Sequence, residues 1–204
     1  MSEPTNVTRA EARVEAQRER ILVAAQKCFV ERGFHGASMA NIAETAGMSA
    51  GLIYRYFAGK SEIILAIVQH QLELLLHDVQ LNRKVDMVAE MIDSFGGTRA
   101  CASDRRGMKP ALLLEMSAEA TRDPTIAAAL DSFDTVLRKA LSEWLSTTPG
   151  NGGLGLSADL APSRALMLQL LFEGLKVRAT REPELDRALL AKALQEFVPL
   201  LLKP

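Results

Sequence analysis

At 204 residues, with 48% apolar and 5% aromatic side chains, the chain is long enough for one or two domains with a real core, and its alanine and leucine favour helices. The formal net charge of −1 averages two unlike parts: residues 1–60 hold 8 Lys and Arg against 6 Asp and Glu, the remainder 16 against 19, so only the N-terminal part suits a polyanion. Cys28 and Cys101 lie outside any Cys-x-x-Cys pair, which excludes a disulfide framework, and the absence of an apolar run of about 18 residues or a signal-peptide core leads us to expect a cytoplasmic protein with no membrane partner.

Residues 1–8 are polar, contain Pro4 and are expected to be disordered. Glu11 to Arg32 reads as one long helix with Ile21, Leu22, Ala25, Cys28 and Phe29 on its apolar face, ended by Gly33. Cys28 is then a reduced, buried thiol, while Cys101 has the alternative of an exposed redox sensor. Arg9, Arg13 and Arg18 either touch DNA or, mixed with Glu11, Glu15 and Glu19, form a solvated face. Ser38 is placed to cap a short helix whose Met39, Ile42, Ala43 and Ala46 recur at helical spacing. Gly47 suits the left-handed reversal that follows, and Leu52, Ile53, Tyr56 and Phe57 open the next helix within a few residues. Two short helices joined this tightly read as helix-turn-helix, with Ala43 at the crossing and Ile53 turned inward.

The second of these helices begins with Ser49, Ala50 and Gly51, side chains small enough for a major groove about 12 Å wide. Tyr54, Arg55, Tyr56 and Lys60 follow: the Arg55 fork suits guanine O6 and N7, and two phenols and an ammonium suit phosphate oxygens. The alternative is an ordinary helical hairpin with half-buried tyrosines. Ser38-Met-Ala-Asn-Ile-Ala, then Gly-Met-Ser-Ala-Gly-Leu-Ile-Tyr-Arg-Tyr-Phe and Gly59-Lys60-Ser61, with Phe29 and Gly33-Phe34 upstream, resemble the N-terminal domain of the TetR family of bacterial transcriptional regulators. The resemblance covers roughly residues 15–70. It implies an all-α fold in which a three-helix helix-turn-helix DNA-binding domain, 1–60, precedes a larger helical effector-binding and dimerisation domain, 61–204. Ser38 joins Ser49 to Tyr56 and Lys60 as an expected DNA contact.

Beyond the motif, Ala58 to Glu62 opens a helix running to about Val79, whose N-terminus and Lys60 together invite a phosphate. In the resembling family such a helix links the two domains. His70 and His77 lie seven apart, but nothing completes a metal set, so no metal and no cofactor are expected. Val85 to Phe95 is amphipathic, 98–109 reads as a loop, Pro110 starts a helix, and Asp123-Pro124 starts another reaching Ser146. Of two glutamates four apart, Glu119 is expected to face water and Glu115 to turn inward, toward Arg106 or a cationic ligand. A glycine-rich segment, 147–161, is expected to be flexible, followed by helices from Pro162 to Thr180 and from Pro183 to Leu202.

The apolar positions of those last helices, Leu166, Leu170, Leu190, Leu194, Phe197 and Leu201, exceed one core's need and predict a homodimer through a four-helix bundle, which the family resemblance also implies. Met87, Met91, Phe95, Met108, Leu112, Glu115, Met116, Phe133, Trp144, Met167 and Phe172 are either plain core or, as the resemblance implies, the lining of a pocket for a small apolar or amphipathic effector. No nucleophile–histidine motif or phosphate-cradling glycine loop supports catalysis. The expected protein is a dimeric repressor of a pseudo-palindromic operator, released by its effector; an activator, or a helical sensor without sequence-specific DNA binding, are the alternatives.

Overall fold

The computed structural model describes residues 9–81, 86–96 and 109–203. It divides into two compact units, Met1–Ile67 and Val68–Pro204, and among the described residues every regular element is helical.

In the first unit, α1 (Arg9–Gly36) buries Ile21, Leu22, Ala25, Cys28 and Phe29 against α2 (Met39–Ala46), which offers Ile42, Ala43 and Ala46 in return. The helix expected to stop at Gly33 breaks there: Gly33 takes φ 70°, ψ 164°, a conformation that costs a side-chain-bearing residue dearly, and one further turn follows. That turn brings Phe34 back against Phe29, ring centroids 5.4 Å apart. Cys28 is buried, its sulfur 3.3 Å from the Thr45 hydroxyl, so it ties α1 to α2. The core is completed by Ile53 and Phe57 from the segment carrying α3 (Ala50–Ile53) and by Ile63, Ile64 and Ile67 of α4 (Lys60–Leu81). Within α4 falls the division between the units, seven residues beyond the 60/61 boundary expected from the sequence.

The second unit continues through α5 (Met87–Gly96), α6 (Pro110–Ala120), α7 (Pro124–Ser146), α8 (Ala161–Arg181) and α9 (Arg187–Leu201). Their starts follow local chemistry. Asp86 accepts from Val88 and Ala89, Asp123 from Thr125 and Ile126, and Asp186 from Ala188, each satisfying main-chain donors that a first turn leaves open. The Asp186 cap sets the start of α9 at Arg187, four residues later than the expected Pro183. At the centre, α8 packs on α5, α6 and α7 while α9 covers α5, and Met91, Phe95, Leu145, Leu168, Leu194 and Val198 are sealed between them.

The segment 147–161, expected to be flexible, is tied down by hydrogen bonds. Gly155 donates to Thr147, Leu156 donates to Leu145, the Trp144 indole N–H donates to Gly152 at 3.1 Å, and Leu156 is buried. Gly153 lies so close that an added Cβ would come 2.2 Å from the Thr147 carbonyl oxygen and 2.4 Å from that of Trp144. Gly153 therefore serves close approach of backbone to backbone, whereas Gly152 and Gly155 supply left-handed turns at φ 86° and 71°.

Candidate functional site

Two serine caps frame the turn at residues 47–49. The Ser38 hydroxyl accepts the Asn41 N–H at 3.1 Å while Asn41 Oδ1 accepts the Ser38 N–H at 3.1 Å, a reciprocal box at the start of α2. Gly47 closes α2 at φ 63°, ψ 40° and sends its N–H back to Glu44; a Cβ there would also stand 2.8 Å from the Arg20 guanidinium. Ser49 then caps α3 by accepting from Leu52 at 3.3 Å.

The second helix is shorter than expected. Four residues, Ala50–Ile53, are α-helical; Tyr54, Arg55 and Tyr56 form a tighter turn in which Arg55 donates to Leu52 and Tyr56 to Ile53. Its outward face is as the spacing suggested in other respects: Ser49, Ala50 and Gly51 are exposed, an added Cβ at Gly51 meets nothing within 4 Å, and Tyr54 (56% exposed) and Arg55 project beside them. Tyr56 is half-buried.

Cations around this turn are tied to main-chain carbonyls. Arg18 donates to the Tyr56 carbonyl at 3.2 Å and lies 4.4 Å over the Phe57 ring; Arg20 donates to the Gly47 carbonyl at 3.3 Å. Lys60, expected from the sequence to meet a phosphate, is engaged internally. Its ammonium donates to the carbonyls of Phe34 at 2.6 Å and Ala37 at 2.8 Å and sits 4.6 Å over the Phe34 ring. A lysine in a first helical turn opposes that helix's dipole; the carbonyls ending α1, together with a ring face, offset the conflict. Arg18, offered as a possible DNA contact, is likewise engaged internally.

In the second unit, Met91, Phe95, Leu112 and Met116 are buried, and Met87, Glu115, Phe133, Trp144 and Phe172 are half-buried. One apolar cluster gathers Met87, Met91, Phe95, Trp144 and Phe172. Met167 does not join them, being 45% exposed on the opposite side of α8 from Leu168 and Gln169. Met108, Arg106 and Cys101, like residues 1–8, lie outside the described residues. Glu119, expected to face water, is instead buried and Glu115 is half-buried, because Leu112, Met116 and Glu119, at spacings of four and three, form the inward stripe of α6.

Sequence reading missed Gln169, buried on α8 with its Nε2 donating to the Asp134 carbonyl at 2.9 Å. Near it, burial pushes the Asp134 and Glu173 carboxyls above their ordinary range, Glu173 further because Asp134 is close, and burial lowers the Lys176 ammonium. Among the described residues no three His, Cys, Asp or Glu are grouped to hold a metal.

The residues expected at a dimer interface split. Leu166, Leu170 and Phe197 are exposed, whereas Leu190, Leu194 and Leu201 are core, since α9 turns the 190–194–198–201 stripe inward. Also exposed are Met167 on α8 and Leu189 and Leu200 on α9. Both helices thus carry apolar side chains on two faces, one sealed and one open.

Residues 21–67 match the family model described as bacterial regulatory proteins, tetR family. The chain is similar to the HTH-type transcriptional regulator UidR of Escherichia coli K12, 30% identical over 156 residues, spanning 76% of this chain and 78% of that protein. It is also similar to the HTH-type transcriptional repressor AcnR of Corynebacterium diphtheriae, 28% identical over 146 residues, 72% of this chain and 70% of the relative. Among solved structures, Salmonella enterica GusR superposes with a TM-score of 0.71 at 25% identity, covering 97% of this chain and 99% of its own.

Proposed function

The chain belongs to the tetR family of bacterial transcriptional regulators, a family of non-enzymatic proteins, and from that premise we propose that it is a dimeric repressor released by a small molecule. What carries the proposal is the exposed, side-chain-poor helix start at Ser49–Gly51 with Tyr54 and Arg55 standing beside it. Such a start enters a major groove without obstruction, Arg55 reads a base edge and Tyr54 contacts phosphate. The repressor sense is supported by the similarity to AcnR.

Dimerisation is proposed through the open apolar face of α8 and α9, where Leu166, Met167, Leu170, Leu189, Phe197 and Leu200 are too extensive a set to leave in water. Two copies present two reading turns to a pseudo-palindromic operator, with half-sites about one helical turn apart or slightly more. Release is a population shift: an effector held among the helices of the Val68–Pro204 unit favours a state in which α4, continuous across the division, has moved, and it must prefer that state by about 5 kcal/mol to silence binding fully.

Selection of bound fragments from a randomised duplex pool at physiological salt tests this reading. A two-fold symmetric motif is the expected result, and in vitro transcription from a promoter bearing it should fall as protein is added. Enrichment of no motif would sink the DNA-reading proposal; rising transcription would make the protein an activator.

A further inference from the structure

Among the described residues, Glu119 and Gln169 are the buried polar side chains. Gln169 stands out because half of its amide is satisfied and half is not. Its Nε2 donates to the Asp134 main-chain carbonyl, which fixes the amide orientation: exchanging nitrogen and oxygen would set two acceptors face to face. The other end, Oε1, is shut away from solvent and has no hydrogen-bond partner. One helical turn to either side on α8 stand Ala165 and Phe172, neither of which can donate. A stranded carbonyl of this kind is a standing penalty, and a leucine or methionine would fill the same space without it.

Resting on the effector-binding reading above, we propose that Gln169 Oε1 is the polar anchor of the effector site, and that the effector is an otherwise apolar small molecule presenting a hydroxyl or N–H donor. An anion is disfavoured in that position. Oε1 repels it, and the Asp134 and Glu173 carboxyls occupy the adjoining stretch of α7 and α8, where Arg138 and Lys176 are the opposing charges acting on them. The donor-bearing molecule gains a hydrogen bond in a setting where water competes weakly, so the penalty carried by the empty protein becomes selectivity for its ligand.

Three probes on one scaffold test the assignment: 4-methylphenol, 1,4-dimethylbenzene and 4-methylbenzoate, which exchange a hydroxyl for a methyl or a carboxylate. Each is titrated into the full-length protein by NMR, following the Gln169 side-chain amide signal, identified by its loss in Gln169→Met. 4-Methylphenol should bind about tenfold or more tightly than either other probe and shift that signal. In Gln169→Met the preference should vanish; Gln169→Leu provides the same comparison should the methionine variant fold poorly. Equal binding of the three probes, as expected if a buried water satisfies Oε1, overturns the proposal. So does a preference that survives the substitutions, or binding of none of the probes. Operator affinity measured in parallel separates this inference from the one beneath it. Phenol bound through Gln169 with operator binding unchanged would refute the release mechanism and leave the anchor standing.

Discussion

The two units treat their polar groups differently. Around the reading turn of the first, Lys60 holds two carbonyls, Arg18 and Arg20 hold one each, and both serines cap helices. In the second, Gln169 Oε1 and Arg164 Nε are buried without a partner, and the Asp134 carboxyl sits where burial opposes its ionisation. A surface that must meet DNA in one geometry gains from having its internal bonds already made, since ordering then costs little on binding. For the proposed effector response, bonds still to be made are an advantage, because only a difference in interaction between states shifts a population.

The sharpest break in that contrast would come at Gly153, a rigid corner within the second unit. Gly153→Ala should cost about 3 kcal/mol, read as a lowered denaturation midpoint, because the intruding methyl meets two main-chain carbonyls that cannot rotate away. Retention of wild-type stability would mean the 147–156 turn yields easily and the second unit is looser than its hydrogen bonds imply. Next in size, Leu170→Glu should weaken self-association at least about 100-fold in analytical ultracentrifugation by placing a carboxylate on the open apolar face; unchanged dimerisation would move the interface elsewhere.

Lys60→Met and Arg55→Ala, taken together, sharpen the view of the first unit. Lys60→Met should destabilise the fold by about 1.5–3 kcal/mol while leaving the salt dependence of operator binding alone; a slope shallower by about 0.9 per half-site would return Lys60 to the phosphates. Arg55→Ala should leave stability intact, cost about 1–3 kcal/mol per half-site and relax preference at one base position, whereas an equal loss on all sequences would make it a phosphate contact. The smallest effect concerns pH. A carboxyl whose folded pKa is raised favours folding most below its ordinary value of about 4 and loses that contribution as pH climbs through the raised value. Glu173→Gln and Asp134→Asn should therefore gain on wild type between pH 4 and pH 7; parallel stability–pH curves would show that burial of these groups is immaterial.

Much of the first unit was legible because its determinants are local. Ser38 and Asn41, Gly47, and Ser49 and Leu52 act within three or four residues of each other, so their spacing in the chain is their geometry. The Lys60 tie reaches 26 and 23 residues back, to Phe34 and Ala37, and no local pattern announces it. In the second unit, periodicity located the helices but could not choose between their faces. Leu189 and Leu190 are neighbours in the chain, one exposed and one buried, and only the packing of α9 on α5 decides which. Glu115 and Glu119, four apart, share a face of α6, and only the packing around that helix decides that Glu119 is buried and Glu115 half-buried. Gln169 gave no signal, since a polar residue between leucines ordinarily marks a solvent face and here marks an interior one.

The Cys28 thiol, sealed between α1 and α2 against Thr45, makes the reader domain its own timekeeper. A thiol reagent too large to enter the closed core can modify Cys28 only in molecules whose first two helices have parted, so the reaction rate counts those openings. With Cys101 replaced by serine, that count belongs to a single sulfur, and whatever clamps the helix-turn-helix will slow it in proportion to how firmly it holds.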